Sequence, residues 1–163
     1  MRLSRIALIS VVLALTVLAV PFAAAGCECV CYGKVTGGGW YYCDCYGHKM
    51  SFGFNVVRYP EETAIKGELE VQDHTWKWNI HAHEIDTLCV STDKTWAIFE
   101  GPCTINHIPG FRFKVYVEDN NEPGINDVFE IWLYGTADPL KGLPYHAVGD
   151  PIDGGNIQIH KKP

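Results

Sequence analysis

The sequence predicts an all-β fold behind an N-terminal export segment: an antiparallel β-sandwich, with a closed β-barrel as the alternative architecture. Three observations carry this expectation. After residue 25 apolar and polar side chains alternate with a period of two, turn-forming Gly, Pro, Asn and Asp recur about every ten residues, and no stretch sustains a 3.6-residue apolar period. A sheet with one apolar face must cover it with a second layer, so the alternation implies a sandwich or a barrel.

The chain of 163 residues is expected to divide into residues 1–25, a signal peptide or N-terminal membrane anchor, residues 26–47, a Cys- and Gly-rich segment continuous with the domain, and residues 48–163, the β-sandwich body. Arg2 and Arg5 form a positive start, Ile6 to Val20 an apolar run, and Pro21 stands before Ala23 and Ala25, small residues that suit a signal peptidase. Cleavage after Ala25 gives a soluble chain, lipid attachment at Cys27 a lipid-anchored one, and an uncleaved segment a membrane anchor. Each of these places residues 28–163 outside the cytoplasm, at the cell surface or beyond it.

Seven cysteines suit that oxidising location, and Cys27, Cys29, Cys31, Cys43 and Cys45 form a C-x-C-x-C…C-x-C array. Neighbours two apart on a strand are poorly placed to bridge one another. The expected pairing is therefore Cys29 and Cys31 with Cys43 and Cys45 across a hairpin at Gly37-Gly38-Gly39, and Cys89 with Cys103, leaving Cys27 for a lipid or an intermolecular bridge. The alternative is a thiolate centre in which Cys29, Cys31, Cys43 and Cys45 surround zinc or copper.

Further along, residues 50–58 read as a strand, and Leu69 and Val71 alternate with Glu68, Glu70 and Gln72. Trp76, Trp78, Ile80 and Ala82 form a core face opposite Lys77, Asn79 and His81. Residues 84–91, 95–100 and 103–107 read as three short strands. Phe111, Phe113, Val115 and Val117 oppose Arg112, Lys114 and Tyr116; Phe129, Ile131 and Leu133 oppose Glu130, Trp132 and Tyr134. Residues 155–160 complete the set.

Between the strands ending at Val117 and beginning at Phe129, the loop Asp119-Asn-Asn-Glu-Pro-Gly-Ile-Asn-Asp127 places Asp119, Asn121, Asp127 and Glu130 at calcium-ligand spacing. Pro123 occupies the fifth position and offers no side-chain oxygen, so the loop is no EF-hand. The favoured reading is a hairpin connection turned by Pro123-Gly124, with calcium the alternative. His81 and His83 are expected as solvent-facing strand residues. Among the tryptophans, Trp132 is the exposed candidate for stacking on a sugar, with Trp76 and Trp78 assigned to the core.

A net charge of −6 without a basic cluster argues against nucleic acid as a partner and against an anionic membrane surface, leaving the N-terminal segment or a lipid as the only membrane contact. Catalytic signatures are sparse: neither Ser51 nor Ser91 lies in G-x-S-x-G, and there is no H-E-x-x-H or Walker loop. The segments Val35-Thr-Gly-Gly-Gly-Trp40, Phe52-Gly-Phe54, Gly67 to Asp73, Asp119 to Ile131 and Gly154 to His160 resemble the post-COAP (post-choice-of-anchor) domain family. The resemblance implies a secreted, strand-rich domain found beside anchoring or adhesion modules, with no established catalytic residues. The expected function is a non-catalytic extracellular module for adhesion, binding or assembly, whose partner is a protein, a polysaccharide or another copy of itself. A thiolate metal-binding protein and a carbohydrate-binding module are the alternatives.

Overall fold

The computed structural model describes residues 28–43, 47–120, 123–124, 126–137, 139–142 and 144–160. The export segment 1–25, Cys27, Cys45 and Asn121 lie outside the described residues. The described part is all-β and antiparallel, a single sheet curled into a half-barrel with no helix. Its strands are β1 (Cys29–Val30), β2 (Gly33–Cys43), β3 (His48–Arg58), β4 (Lys66–Asp73), β5 (Trp78–Ala82), β6 (Thr87–Ser91), β7 (Trp96–Ile105), β8 (Ile108–Glu118), β9 (Val128–Gly135), β10 (Tyr145–Gly149) and β11 (Gly154–Ile159). They lie in the order β10-β9-β8-β7-β5-β4-β3-β2-β11, and β6 pairs β7 beside this path and carries β1.

Alternation places the core where expected on β4, β8 and β9, with Leu69, Val71, Phe111, Phe113, Val115, Val117, Phe129, Ile131 and Leu133 all buried. Curling brings opposite parts of the sheet together: Phe52 of β3 stacks on Phe129 of β9 with ring centroids 4.1 Å apart, and Phe54 meets Phe99 of β7 at 5.2 Å. Gly149 of β10 lies flat against Tyr41 of β2, where an ideal Cβ would stand 2.5 Å from the ring. Three expectations change. Residues 95–100 and 103–107 belong largely to one long strand, β7. Trp76 falls in the β4–β5 turn and is exposed, because the Asp73 carboxylate accepts from the N–H groups of Thr75 (2.8 Å) and Trp76 (2.9 Å) and turns the chain before β5 begins.

The third change concerns Gly37-Gly38-Gly39, which form no hairpin but lie inside β2, opposite Phe54, Gly53 and Phe52 of β3. Their lack of side chains serves packing between strands. An ideal Cβ on Gly37 would stand 2.6 Å from the Phe54 ring, and one on Gly39 would stand 2.3 Å from the carbonyl oxygen of Gly154 on β11. Glycine in a strand marks such close approaches as well as turns.

The last strand, β11, pairs with β2 along one edge only. On its other edge the Ile157 N–H donates to the Asp127 carboxylate at 2.7 Å, and the Ile159 N–H donates to Asp119 at 2.8 Å. Asp127 is fully buried, accepts also from the Asn120 N–H (3.1 Å), and receives the Ile152 N–H on its carbonyl (2.9 Å). Gly124 takes a φ of 68°, the conformation a type II turn requires after Pro123. The β8–β9 loop thus acts as a clamp on the edge of β11. Replacing Asp127 with Ala strands the Ile157 N–H in the core and is expected to lower unfolding free energy by about 3 kcal/mol, while Glu130→Ala changes it by less than about 0.5 kcal/mol. Urea denaturation of both variants measures the difference.

Candidate functional site

The thiols do not gather. Cys29 is bonded to Cys89, with Cα atoms 5.6 Å apart, because β1 pairs β6 and sets Cys29 opposite Ser91, diagonal to Cys89. The expected Cys89–Cys103 bridge does not form. Cys89 lies opposite half-buried Ile98 on the outer side of β7, whereas Cys103 is five residues further along β7 and faces the core opposite Phe111. Cys31 is exposed and Cys43 is buried; both are free, as is Cys103. The zinc or copper set of Cys29, Cys31, Cys43 and Cys45 therefore loses Cys29 to a disulfide, and its two other described members, Cys31 and Cys43, differ in exposure. Burial pushes the Cys103 thiol up to about 12. A buried thiol held protonated is a poor nucleophile. Alkylation of the native protein is expected to modify Cys31 and to spare Cys43 and Cys103 until denaturant is added, which peptide mass spectrometry reads directly.

The calcium candidates are likewise turned to other work. The carboxylates of Asp119 and Asp127 hold β11, and Glu130 lies on the outer side of β9, where it meets His146 at 3.2 Å. Strand alternation separates Glu130 from buried Asp127. Among the described residues no group of three His, Cys, Asp or Glu can hold a metal ion. Trp132, the expected sugar-stacking residue, is half-buried, with its ring stacked on His146 at 4.5 Å and the Lys114 ammonium over it at 5.9 Å.

The exposed aromatics lie elsewhere. Trp40 and Tyr42 point outward from β2, their rings 5.9 Å apart, with the Lys49 ammonium 4.8 Å from the Trp40 ring. Trp76 is exposed at the neighbouring turn and packs on Trp78 (4.6 Å), Tyr145 (5.5 Å) and His48 (4.8 Å). Beneath it Asp73, fully buried, meets His48 Nδ1 at 3.1 Å and accepts from the Tyr145 hydroxyl at 3.3 Å. This network anchors the β4–β5 turn and fixes the aromatic end of the sheet.

Register extends the outward row from Trp40 through Ser51 and Gln72 to Asn79, and the next row runs from Gly38 through Gly53 and Glu70 to His81 and Thr104. A third row holds Thr36, Asn55 and Glu68. The middle row begins with two glycines, so the outer face carries a shallow trough across β2, β3 and β4. Two depressions of about 300 and 280 Å³ open along it, and both include Gly53 and Glu70. Ser51 Oγ is held by His74 Nε2 at 2.9 Å on one wall. Gly53 differs from Gly37 and Gly39: an ideal Cβ there meets nothing within 4 Å. Sequence reading missed this trough, because its floor and walls come from three strands whose register no local pattern specifies. Phe52-Gly-Phe54 was the available signal, a glycine between two core residues at an outward position.

No protein-family profile, no curated protein and no solved structure matches this chain.

Proposed function

We propose that this chain is a non-catalytic, extracellular, surface-associated adhesion module that binds a polysaccharide along the trough of its outer face. Gly53 carries the reading. Glycine weakens a strand interior, and when no neighbouring atom requires its absent side chain, the open space itself is the retained property. Hydroxyl, amide and carboxylate groups of Thr36, Ser51, Asn55, Glu68, Glu70 and Gln72 offer the donors and acceptors that sugar hydroxyls use, and Trp40 and Tyr42 supply aromatic surface at the β2 end. Two carboxylates on a chain of net charge −6 favour a neutral or amino-sugar polymer over an anionic one.

The Cys29–Cys89 disulfide supports an oxidising compartment, in line with the export signal read in residues 1–25. The resemblance to the post-COAP domain supports the same surface role. We read the architecture as a barrel closed by side chains: the Asp119 and Asp127 ties to β11 and the contact of β10 with Tyr41 support that reading over two separate layers.

Affinity electrophoresis through gels containing neutral, amino and acidic polysaccharides tests the proposal. A neutral or amino polymer is expected to retard the protein, and Gly53→Thr and Trp40→Ala to abolish the retardation. Gly53→Thr is expected to hold or raise stability, by up to about 1 kcal/mol, since it fills open space with a strand-favouring side chain. Retardation of Gly53→Thr equal to the parent's, or no retardation of the parent by any polymer, contradicts the proposal.

A further inference from the structure

His81 closes the outer row described above, and His83 follows it just beyond the end of β5. The two rings are not merely solvent-facing. Their Nε2 atoms approach to 2.8 Å, with centroids 4.2 Å apart and planes at 65°. A cleft of about 620 Å³ opens beside them, bordered by Glu84, Cys103, Thr104 and His107.

The surrounding backbone fixes this geometry. His81 is paired with Glu70 on β4 and Thr104 on β7. The tip of the β7–β8 hairpin, Asn106-His107, takes φ values of 51° and 67°. It is tied to β5 twice: the Asn79 N–H donates to Asn106 Oδ1, and the Asn106 N–H donates to the Asn79 carbonyl, both at 2.8 Å. One wall of the cleft is therefore bound to the strand that carries the histidines.

Two imidazole nitrogens this close cannot both present lone pairs to each other. Either one ring carries its proton on Nε2 and donates it, or a cation takes the shared position. We propose that His81 and His83 chelate a divalent transition-metal ion of the copper(II) or nickel(II) type, with water from the cleft completing its coordination. At metal–nitrogen bonds of about 2.0 Å, nitrogens 2.8 Å apart subtend an angle of about 90°, the cis angle of a square-planar centre. Tetrahedral zinc with the same bonds needs about 3.3 Å between them. No third His, Cys, Asp or Glu completes the set among the described residues, so the protein supplies two ligands and leaves exchangeable positions toward the cleft. On binding, the donor ring moves its proton from Nε2 to Nδ1 through water, and both rings stay neutral. The site requires neither Gly53 nor Trp40 and stands apart from the polysaccharide reading.

Isothermal titration of untagged protein with nickel(II) chloride tests the site. One ion per chain is expected, with affinity reduced about tenfold or more in His81→Gln and in His83→Gln, unchanged in Gly53→Thr, and weaker for zinc(II) than for nickel(II). Circular dichroism checks that the variants keep the fold; His83 is exposed and His81 only partly buried. Absence of binding, equal affinity in His83→Gln, or tighter binding of zinc(II) than nickel(II) overturns the proposal.

Discussion

The structure depends on how the N–H groups along the outer edge of β11 are satisfied. A strand at the end of a sheet leaves a row of donors unpaired, and when that edge is buried each orphaned donor costs about 1–3 kcal/mol. Here two carboxylates from one loop, Asp127 and Asp119, accept the Ile157 and Ile159 N–H groups. This lets the last strand cover β2 and close the end of the core without another strand beside it. It also explains a loop whose acidic residues suggest an ion: the positive partner of each carboxylate is a backbone dipole.

Docking of β11 dictates the glycines around it. Gly155 would place a Cβ 2.1 Å from the Gly38 carbonyl oxygen, Gly39 would collide with Gly154, and Gly124 of the clamp would collide with Gly155. Segments widely separated in sequence are thus small for one shared reason, the close passage of β2, β11 and the β8–β9 loop. Gly53 sits one strand away and answers to no such contact. The same residue type has two causes within one sheet, and asking what a Cβ would touch separates them.

Much of the all-β character was legible because burial along β4, β8 and β9 follows a period of two, which local sequence expresses directly. What was not legible depends on partners distant in sequence. Gly37-Gly38-Gly39 reads as a turn until β11 is laid across it. The cysteine pairing turned on β1 lying beside β6, and on the opposite faces of Cys89 and Cys103; neither follows from spacing in the N-terminal array. Trp76 and Trp78 continue a core alternation on paper, but the Asp73 side chain captures two backbone N–H groups and ends that alternation at the turn. His81 and His83 were read correctly as neighbours on the outer side, while their convergence needed the strand end and the hairpin tip held together.

Amide hydrogen exchange at Ile157 and Ile159 tests the clamp most directly. Both residues have their N–H groups directed away from the only strand that β11 pairs with, so any protection must come from Asp127 and Asp119. The account predicts that these two amides exchange as slowly as those in the middle of β2. Exchange at the rate of the outward edge amides of β10 would contradict it.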